Sequence, residues 1–351
     1  MDGTEGTGGG WRMTVNGTAD SAPVGRGESL VKAGLRAGWR MPHLCLAGEC
    51  GSCRCRLVTG RVRLRQDISR HVGTAALRQG YLLACQSEAL GDVQLDVPGL
   101  TPGVGAQAVR SGRIAQMHAF SHDIVQLVIE LDDPIAYTAG QYAQLTVPGH
   151  AALADAPRCY SFSAAPQGGP QCRVPFHVRR VAGGLFTEWL FAADRSGERI
   201  QLAGPYGDFG FRDDGRPIVC VAGGTGLAPV LAMLEALGTR RSAPDVTLFI
   251  AARSQRDLYC QEQLQALQRT WPGTMVVAPV LSQEPADSGW RGLTGYCDRH
   301  LGSFCSVPDS SVYLCGPPAM IDATVAAVRQ LGGGSHLYYD RFLDRSHLNL
   351  P

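Results

Sequence analysis

The stretch CLAGECGSC, residues 45–53, spaces three cysteines as C-x4-C-x2-C, and a fourth, Cys85, stands alone in LLACQ. Three thiolates on one loop and a distant fourth are the spacing that holds a [2Fe–2S] cluster. The chemistry accounts for the loop. Four thiolates must converge on two irons while backbone N–H groups point at sulfur, and Gly48, Gly51 and Ser52 are small enough for the chain to curl that tightly. Zinc is the competing metal. Structural zinc sites pair two C-x2-C knuckles, or one knuckle with histidines, and only one knuckle exists here. The reading assigns Cys45, Cys50, Cys53 and Cys85 as metal ligands. Cys55, two residues beyond Cys53, would share its face on a strand and reads as a small buried side chain.

Working outward, residues 11–98 form one unit. WRMTV and SAPVGRG read as strands of a hairpin and DVQLDV (92–97) as a closing strand. ESLVKAGLRAG reads as a helix with Leu30, Ala33, Leu35 and Ala37 along one side and Gly38 at its end. PGLTPGVGAQA (98–108) has two prolines, three glycines and no apolar period, which makes 99–108 a linker. Residues 109–213 read as an antiparallel β-barrel with one helix: in HDIVQLVIEL, Val125, Leu127, Ile129 and Leu131 point one way and Gln126 and Glu130 the other. From 214 to 351, β and α patterns alternate, which implies a parallel sheet with helices on its faces. Ile218–Leu234 is apolar enough to suggest a membrane span, but its Gly-Gly-Thr-Gly break and Pro229 favour a buried strand, a turn and a helix.

Composition bounds the function. The chain has 351 residues, enough for two or three domains, and a formal net charge of +1, which gives no basis for nucleic-acid binding. Of the 32 basic residues only Lys32 is lysine, a bias best ascribed to codon usage. The first ten residues lack a signal peptide's basic start and apolar core, so the expectation is a cytoplasmic protein. Four of the first five cysteines fall into one pattern and the other seven are scattered singly, and in a cytosolic chain such a cluster suggests metal or redox chemistry rather than a disulfide framework.

Two further segments carry chemistry. In RCYS (158–161), Arg158 and Tyr160 share one face of a strand and Cys159 and Ser161 the other. An aromatic can lie on a flavin ring, a guanidinium can pair with pyrophosphate, and a hydroxyl can reach the flavin N5. HVRRVAGGLFTEWL (177–190) sets Gly183 and Gly184 before a helix whose start, with Thr187, suits a phosphate. The flavin candidates here are His177, Val178, Arg179, Gly184, Leu185 and Thr187. VCVAGGTGLAP forms a strand, the turn Gly223-Gly224-Thr225-Gly226 and a helix, which lets backbone approach a dinucleotide at a helix start without the G-x-G-x-x-G fingerprint. CGPPAM (315–320) ends another strand at the same edge.

With these motifs in place, residues 28–97 resemble a plant-type ferredoxin domain, and the next two segments resemble the FAD and NAD domains of the ferredoxin–NAD(P)+ reductase superfamily. In this order they resemble the NADH-dependent reductases of bacterial multicomponent oxygenases over nearly the whole chain. The resemblance implies a multidomain fold: an α+β, β-grasp ferredoxin domain, an antiparallel β-barrel FAD domain and an α/β parallel-sheet NAD domain. It implies FAD rather than FMN. It places Cys315, with Gly316 and Pro317, beside the nicotinamide, Arg253 through Arg256 at the adenosine ribose, and Phe342 near the flavin ring. Tyr160, Ser161 and Cys315 are then the residues nearest the reacting atoms.

The implied activity is hydride transfer from NADH to FAD, followed by passage of single electrons through the [2Fe–2S] cluster to an oxygenase component. That partner would be a diiron monooxygenase acting on an aromatic or hydrocarbon substrate, or a Rieske-type dioxygenase, and it could itself be membrane-bound. The reductase would be monomeric. No acidic residue claims the 2′-hydroxyl of NADH, so two arginines leave NADPH open. A zinc-stabilised adaptor without catalysis is the reading from another class.

Overall fold

The computed structural model describes residues 10–39, 41–43, 48, 51, 53–97, 100, 109–154, 157–207 and 209–342. The chain divides into two compact units, one running to Ala108 and one spanning Val109–Phe342.

The first unit is a five-stranded mixed sheet in the spatial order Ser21–Val24, Trp11–Val15, Val93–Asp96, Arg54–Thr59, Tyr81–Leu83. Trp11–Val15 runs parallel to Val93–Asp96 and antiparallel to its hairpin partner. The helix Leu30–Arg36 starts at Ser29, whose side chain accepts from the Lys32 N–H, the usual way an orphan donor of a first turn is satisfied. Its buried face is Leu30, Val31, Ala33 and Gly34, not the expected line through Leu35 and Ala37. A 3.6-residue period brings Val31 and Gly34 inward, and Gly34 packs so tightly that a Cβ there would lie 2.4 Å from Met41 Cγ. Of the expected linker only Leu100 is described, and it is buried in this unit's core.

The second unit contains two sheets. One is antiparallel, in the order Arg158–Ser161, Tyr142–Thr146, Arg199–Tyr206, Val109–Ala119, Ile124–Ile135, Gln171–Arg179. A bridge between Phe162 and Phe176 joins its two outer strands and closes the barrel. Its core holds Leu127, Ile129, Phe162, Phe176 and Phe186, so the alternation read in 122–131 is the inward face. The other sheet is wholly parallel. Its spatial order is Leu293–Thr294, Met275–Leu281, Val246–Ala252, Ile218–Gly223, Ser311–Gly316, Leu337–Arg341. Ile218–Gly223 is buried throughout, as a central parallel strand covered on both faces must be. The helix that follows Val246–Ala252 begins only at Gln261. Ser254 and Asp257 form a capping box on a short 3-10 turn before it, and Cys260 takes a left-handed conformation, so the chain cannot run helically through 258–260.

Candidate functional site

Two of the four expected cluster ligands are described. Cys53 and Cys85 are both buried, the Cys85 N–H points at Cys53 Sγ (3.5 Å) and Gln86 Nε2 at Cys85 Sγ (3.7 Å). The Ala84 N–H holds the Cys53 carbonyl at 3.0 Å, so the two cysteine segments are tied directly. Donors aimed at sulfur suit thiolates, which fits a cluster. Gly48 has φ +84°, and a Cβ there would come within 2.5 Å of Gln66 Nε2 and 2.6 Å of Gln86 Cγ. Cys45 and Cys50 lie outside the described residues. Cys55, opposite Leu82, is buried in the core, and burial pushes its thiol up to about 12.

The RCYS strand runs antiparallel to Tyr142–Thr146, with Ser161 opposite Tyr142 and Tyr160 opposite Ala143. Tyr160 packs against Phe186 with ring centroids 5.4 Å apart, and desolvation raises its phenol. Two residues beyond Ser161, the Ser163 hydroxyl is buried and has no hydrogen-bond partner among the described residues. A polar atom left for a partner outside the chain fits a strand that presents itself to a bound flavin.

The glycine loop after it behaves differently from the reading. Gly184 caps the helix Leu185–Phe191, but the Thr187 hydroxyl is turned into its own loop. It donates to the Val181 carbonyl (3.0 Å) and accepts from the Val181 N–H (3.1 Å). That leaves the backbone of the loop, with Leu185 exposed beside it, to meet a ligand. Val178 is buried in the barrel core.

His177 and Arg179 face the third segment. His177 is buried, with Nδ1 3.3 Å from the Tyr259 hydroxyl and its ring edge-on to Phe120 at 5.1 Å. The Tyr259 hydroxyl donates to the Gly224 carbonyl (3.1 Å). A phenol has one proton, so the His177 Nδ1–H must donate to the Tyr259 oxygen. Burial pushes His177 down to about 3, so its imidazole is neutral in this chain. Arg179 Nε donates to Asp123 Oδ2 at 2.7 Å, and its guanidinium lies where a Cβ on Gly224 would be 3.4 Å from it.

The cavity these residues edge has a volume of about 480 Å³ and is lined from the barrel by Asp123 and Arg179 and from the parallel sheet by Gly223, Gly224, Arg253 and Pro317. The two motifs of the third segment are built as one object. Ala222 pairs with Cys315 across adjacent strands. A Cβ on Gly226 would lie 2.2 Å from the Cys315 carbonyl oxygen, and one on Gly223 would lie 2.7 Å from Met320 Sδ and 2.9 Å from Pro317 Cδ. Only glycine allows the turn this close to the CGPP corner, which leaves a cradle fitted to a dinucleotide backbone. Cys315 itself is fully buried and its thiol is pushed well up by desolvation, while Phe342 donates its N–H to the Gly316 carbonyl (2.9 Å).

Arg253 also borders a second recess of about 500 Å³ with Arg256, Ser254 and Glu284. Neither arginine makes an ion pair among the described residues. Asp257 is taken by the Ser254 N–H and hydroxyl (2.8 Å each), and Glu284 by the Gln255 N–H (2.8 Å). The sequence reading passed over Asp123, Asp257, Tyr259, Tyr296 and Met320, all of which line the cavity. Tyr259 had a visible signal, as the sole aromatic in RDLYCQEQL, whereas Asp123 in SHDIV looked like a turn residue.

Comparison with known proteins fits this geometry. The 2Fe-2S iron-sulfur cluster binding domain model matches residues 13–90, the oxidoreductase FAD-binding domain model 111–211 and the oxidoreductase NAD-binding domain model 220–326. The chain belongs to the family of electron-transfer reductases of multicomponent oxygenases, with a [2Fe–2S] cluster, FAD and NAD as its cofactors. It is 36% identical to the xylene/toluene monooxygenase electron transfer component of Pseudomonas putida, over 95% of this chain and 94% of that one. It is 33% identical to the ferredoxin–NAD(P)+ reductase component of the naphthalene 1,2-dioxygenase system of the same species, over 91% and 95%. Among solved structures, the Amycolatopsis cytochrome P450 reductase matches with a TM-score of 0.74 at 30% identity, covering 95% of this chain and 98% of that one. These matches set aside the zinc-stabilised adaptor. Among the described residues no helix is long and apolar enough to cross a membrane.

Proposed function

We propose that this chain takes hydride from NADH in the cavity between the barrel and the parallel sheet and delivers single electrons through the first unit to an oxygenase. The observation that carries the reading is the cavity itself, where the glycine turn of the NAD segment meets Arg179 and Asp123 of the FAD segment. When bound, FAD accepts the electron pair as hydride and releases it singly, and the [2Fe–2S] cluster carries one electron at a time.

The chain's residues then have distinct tasks. Gly223, Gly224, Thr225 and Gly226 bring backbone against the dinucleotide, and Gly316 and Pro317 close the corner around its nicotinamide end with Cys315 behind them. Asp123 fixes the Arg179 guanidinium, so a permanent positive charge faces the cavity in one orientation. Tyr259 ties the turn to the barrel. Arg253 and Arg256 receive the adenosine end. Arg158, Tyr160 and Ser161 hold the flavin, with the Gly183–Gly184 backbone and Leu185 at its phosphates and Phe342 beside its ring. Cys45, Cys50, Cys53 and Cys85 ligate the cluster. No residue needs to act as a general acid or base.

The oxygenase is a diiron monooxygenase acting on an aromatic or hydrocarbon substrate, a reading supported by the xylene/toluene relative. The naphthalene dioxygenase relative supports a Rieske-type partner as the second reading. The protein works as a cytoplasmic monomer. An anaerobic NADH titration followed by visible absorption and electron paramagnetic resonance tests the path: flavin bleaching followed by a reduced [2Fe–2S] signal is expected. A flavin that bleaches while the cluster stays oxidised would overturn it.

A further inference from the structure

The first unit carries a charge excess that the electron path leaves unexplained. Between residues 11 and 98, twelve arginines and lysines stand against seven aspartates and glutamates. Some of this charge is compensated. Arg63 and Arg65 share Glu88 (2.5 and 2.8 Å), Arg36 pairs with Glu28 (2.8 Å), and Arg56 reaches Asp96 only at 3.6 Å. Arg54, Arg61 and Arg78 are exposed and make no ion pair among the described residues.

Position gives the excess meaning. Arg54 directly follows Cys53 and begins the strand Arg54–Thr59. That strand pairs with Tyr81–Leu83, which leads into Cys85 two residues later. Arg56 lies opposite Tyr81, and the Arg54 guanidinium sits over the Tyr81 ring at 4.6 Å from its centroid. Arg78 is in the last turn of the helix Thr74–Arg78, just before that strand. Val58 lies on the same strand, at a pairing irregularity between Leu57 and Thr59, and at 46% exposure it is an apolar side chain left in water. Tyr81–Leu83 is the edge strand of its sheet, and among the described residues no further strand covers this side.

We propose that this face, made of Arg54, Arg56, Arg78, Tyr81 and Val58, docks the acidic surface of the protein that receives the electrons. The proposal rests on the cluster being the exit. Arginine and tyrosine are the residue types that dominate binding at protein interfaces, and Val58 supplies an apolar anchor among them. Stacking on Tyr81 holds Arg54 in one orientation before the partner arrives, so less side-chain freedom is lost on docking. Uncompensated positive charge within one residue of a ligand steers an acidic partner towards the cluster rather than to the flavin.

The test uses the full chain and two haem proteins of opposite charge as acceptors, acidic cytochrome b5 and basic cytochrome c, with NADH as donor. Cytochrome b5 reduction should fall at least about tenfold as salt rises from roughly 0.02 to 0.3 M, while cytochrome c reduction stays level or rises. The triple variant Arg54→Glu, Arg56→Glu, Arg78→Glu should exchange the two acceptors' rates. Its ferricyanide reduction, taken from the flavin, and its cluster absorption should stay at the parent's level. Should the variant lose its cluster, the parent's opposed salt profiles still decide. Equal salt response for both acceptors would overturn the proposal. So would a variant whose NADH-driven cluster reduction slows while its dithionite-reduced form still passes electrons to cytochrome b5 at the parent's rate, since the face would then serve the chain's own flavin unit. A chain that reduces ferricyanide but neither haem protein would overturn the exit reading and this proposal with it.

Discussion

The first unit and the CGPP corner of the second both bury cysteine sulfur, and they surround it differently. Around Cys53 and Cys85 the chain supplies donors, a backbone N–H to one sulfur and a side-chain amide to the other. Around Cys55 and Cys315 it supplies burial, and both thiols are driven up, Cys55 to about 12. Burial alone favours the neutral thiol, because desolvation penalises charge. Hydrogen-bond donors are what make a buried sulfur acceptable as a thiolate ligand. Cys55, two residues from Cys53, also has a backbone hydrogen bond from Ala84, but burial outweighs it and its thiol stays high.

Substitutions at these sulfurs should break or sharpen the contrast most. Cys85→Ser should abolish the reduced-cluster resonance signal, with NADH bleaching of the flavin within about twofold of the parent. Cys55→Ala should keep the signal and cost only about 1 kcal/mol of stability in denaturant unfolding, as a small cavity does. A Cys55→Ala chain without a cluster would erase the difference between the two sulfurs. At the other corner the governing term is space. Gly226→Ala forces a methyl against the Cys315 carbonyl, and an overpacking cost of about 3 kcal/mol should appear. Stopped-flow flavin reduction by NADH should slow by about a hundredfold as the turn is displaced, while cluster absorption is retained.

Smaller effects test the tie between barrel and turn. Tyr259→Phe removes the hydroxyl that bonds Gly224 and receives His177, leaving a buried imidazole donor unpaired at a cost of about 1–3 kcal/mol. It should raise the NADH concentration at half-maximal flavin reduction more than it lowers the limiting rate. His177 itself gives the gentlest signature. Its pKa is lowered to about 3 in the folded chain, so above the unfolded value near 6.5 it contributes no pH dependence. Below that value the unfolded chain takes up a proton that the folded chain refuses. Stability then falls with pH by up to about 1.4 kcal/mol per unit until the folded value is reached. Urea midpoints of His177→Gln should therefore drop less between pH 6.5 and 5 than the parent's. Parallel curves would remove His177 as the cause.

Most of the fold could be read from the sequence because its signals are local. Alternation in 122–131, the buried run at 218–223 and the glycine turn each state their own structure. What was missed is long-range. Nothing within HVRR says that Arg179 will pair with Asp123, 56 residues away, at the edge of the cavity lined by the glycine turn. Thr187 follows two glycines as a phosphate-binding hydroxyl should, yet its closest acceptor is the carbonyl of its own loop. The start of the helix Gln261–Thr270 is set by a capping box at 254–257 and a left-handed Cys260, which no apolar period reveals.

The barrel's closure has a mechanical consequence. Along one side of the seam, Arg173 to Arg179 pair without interruption with the neighbouring strand, but across the seam the strands meet at the Phe162–Phe176 bridge and the Ser163 N–H to Pro175 carbonyl. Among the described residues few bonds hold the wall there, so this line is where the barrel should open first. The amide of Ser163 should then trade its hydrogen for deuterium well before that of Val178, and a ligand lying along RCYS would act as a clasp across the gap.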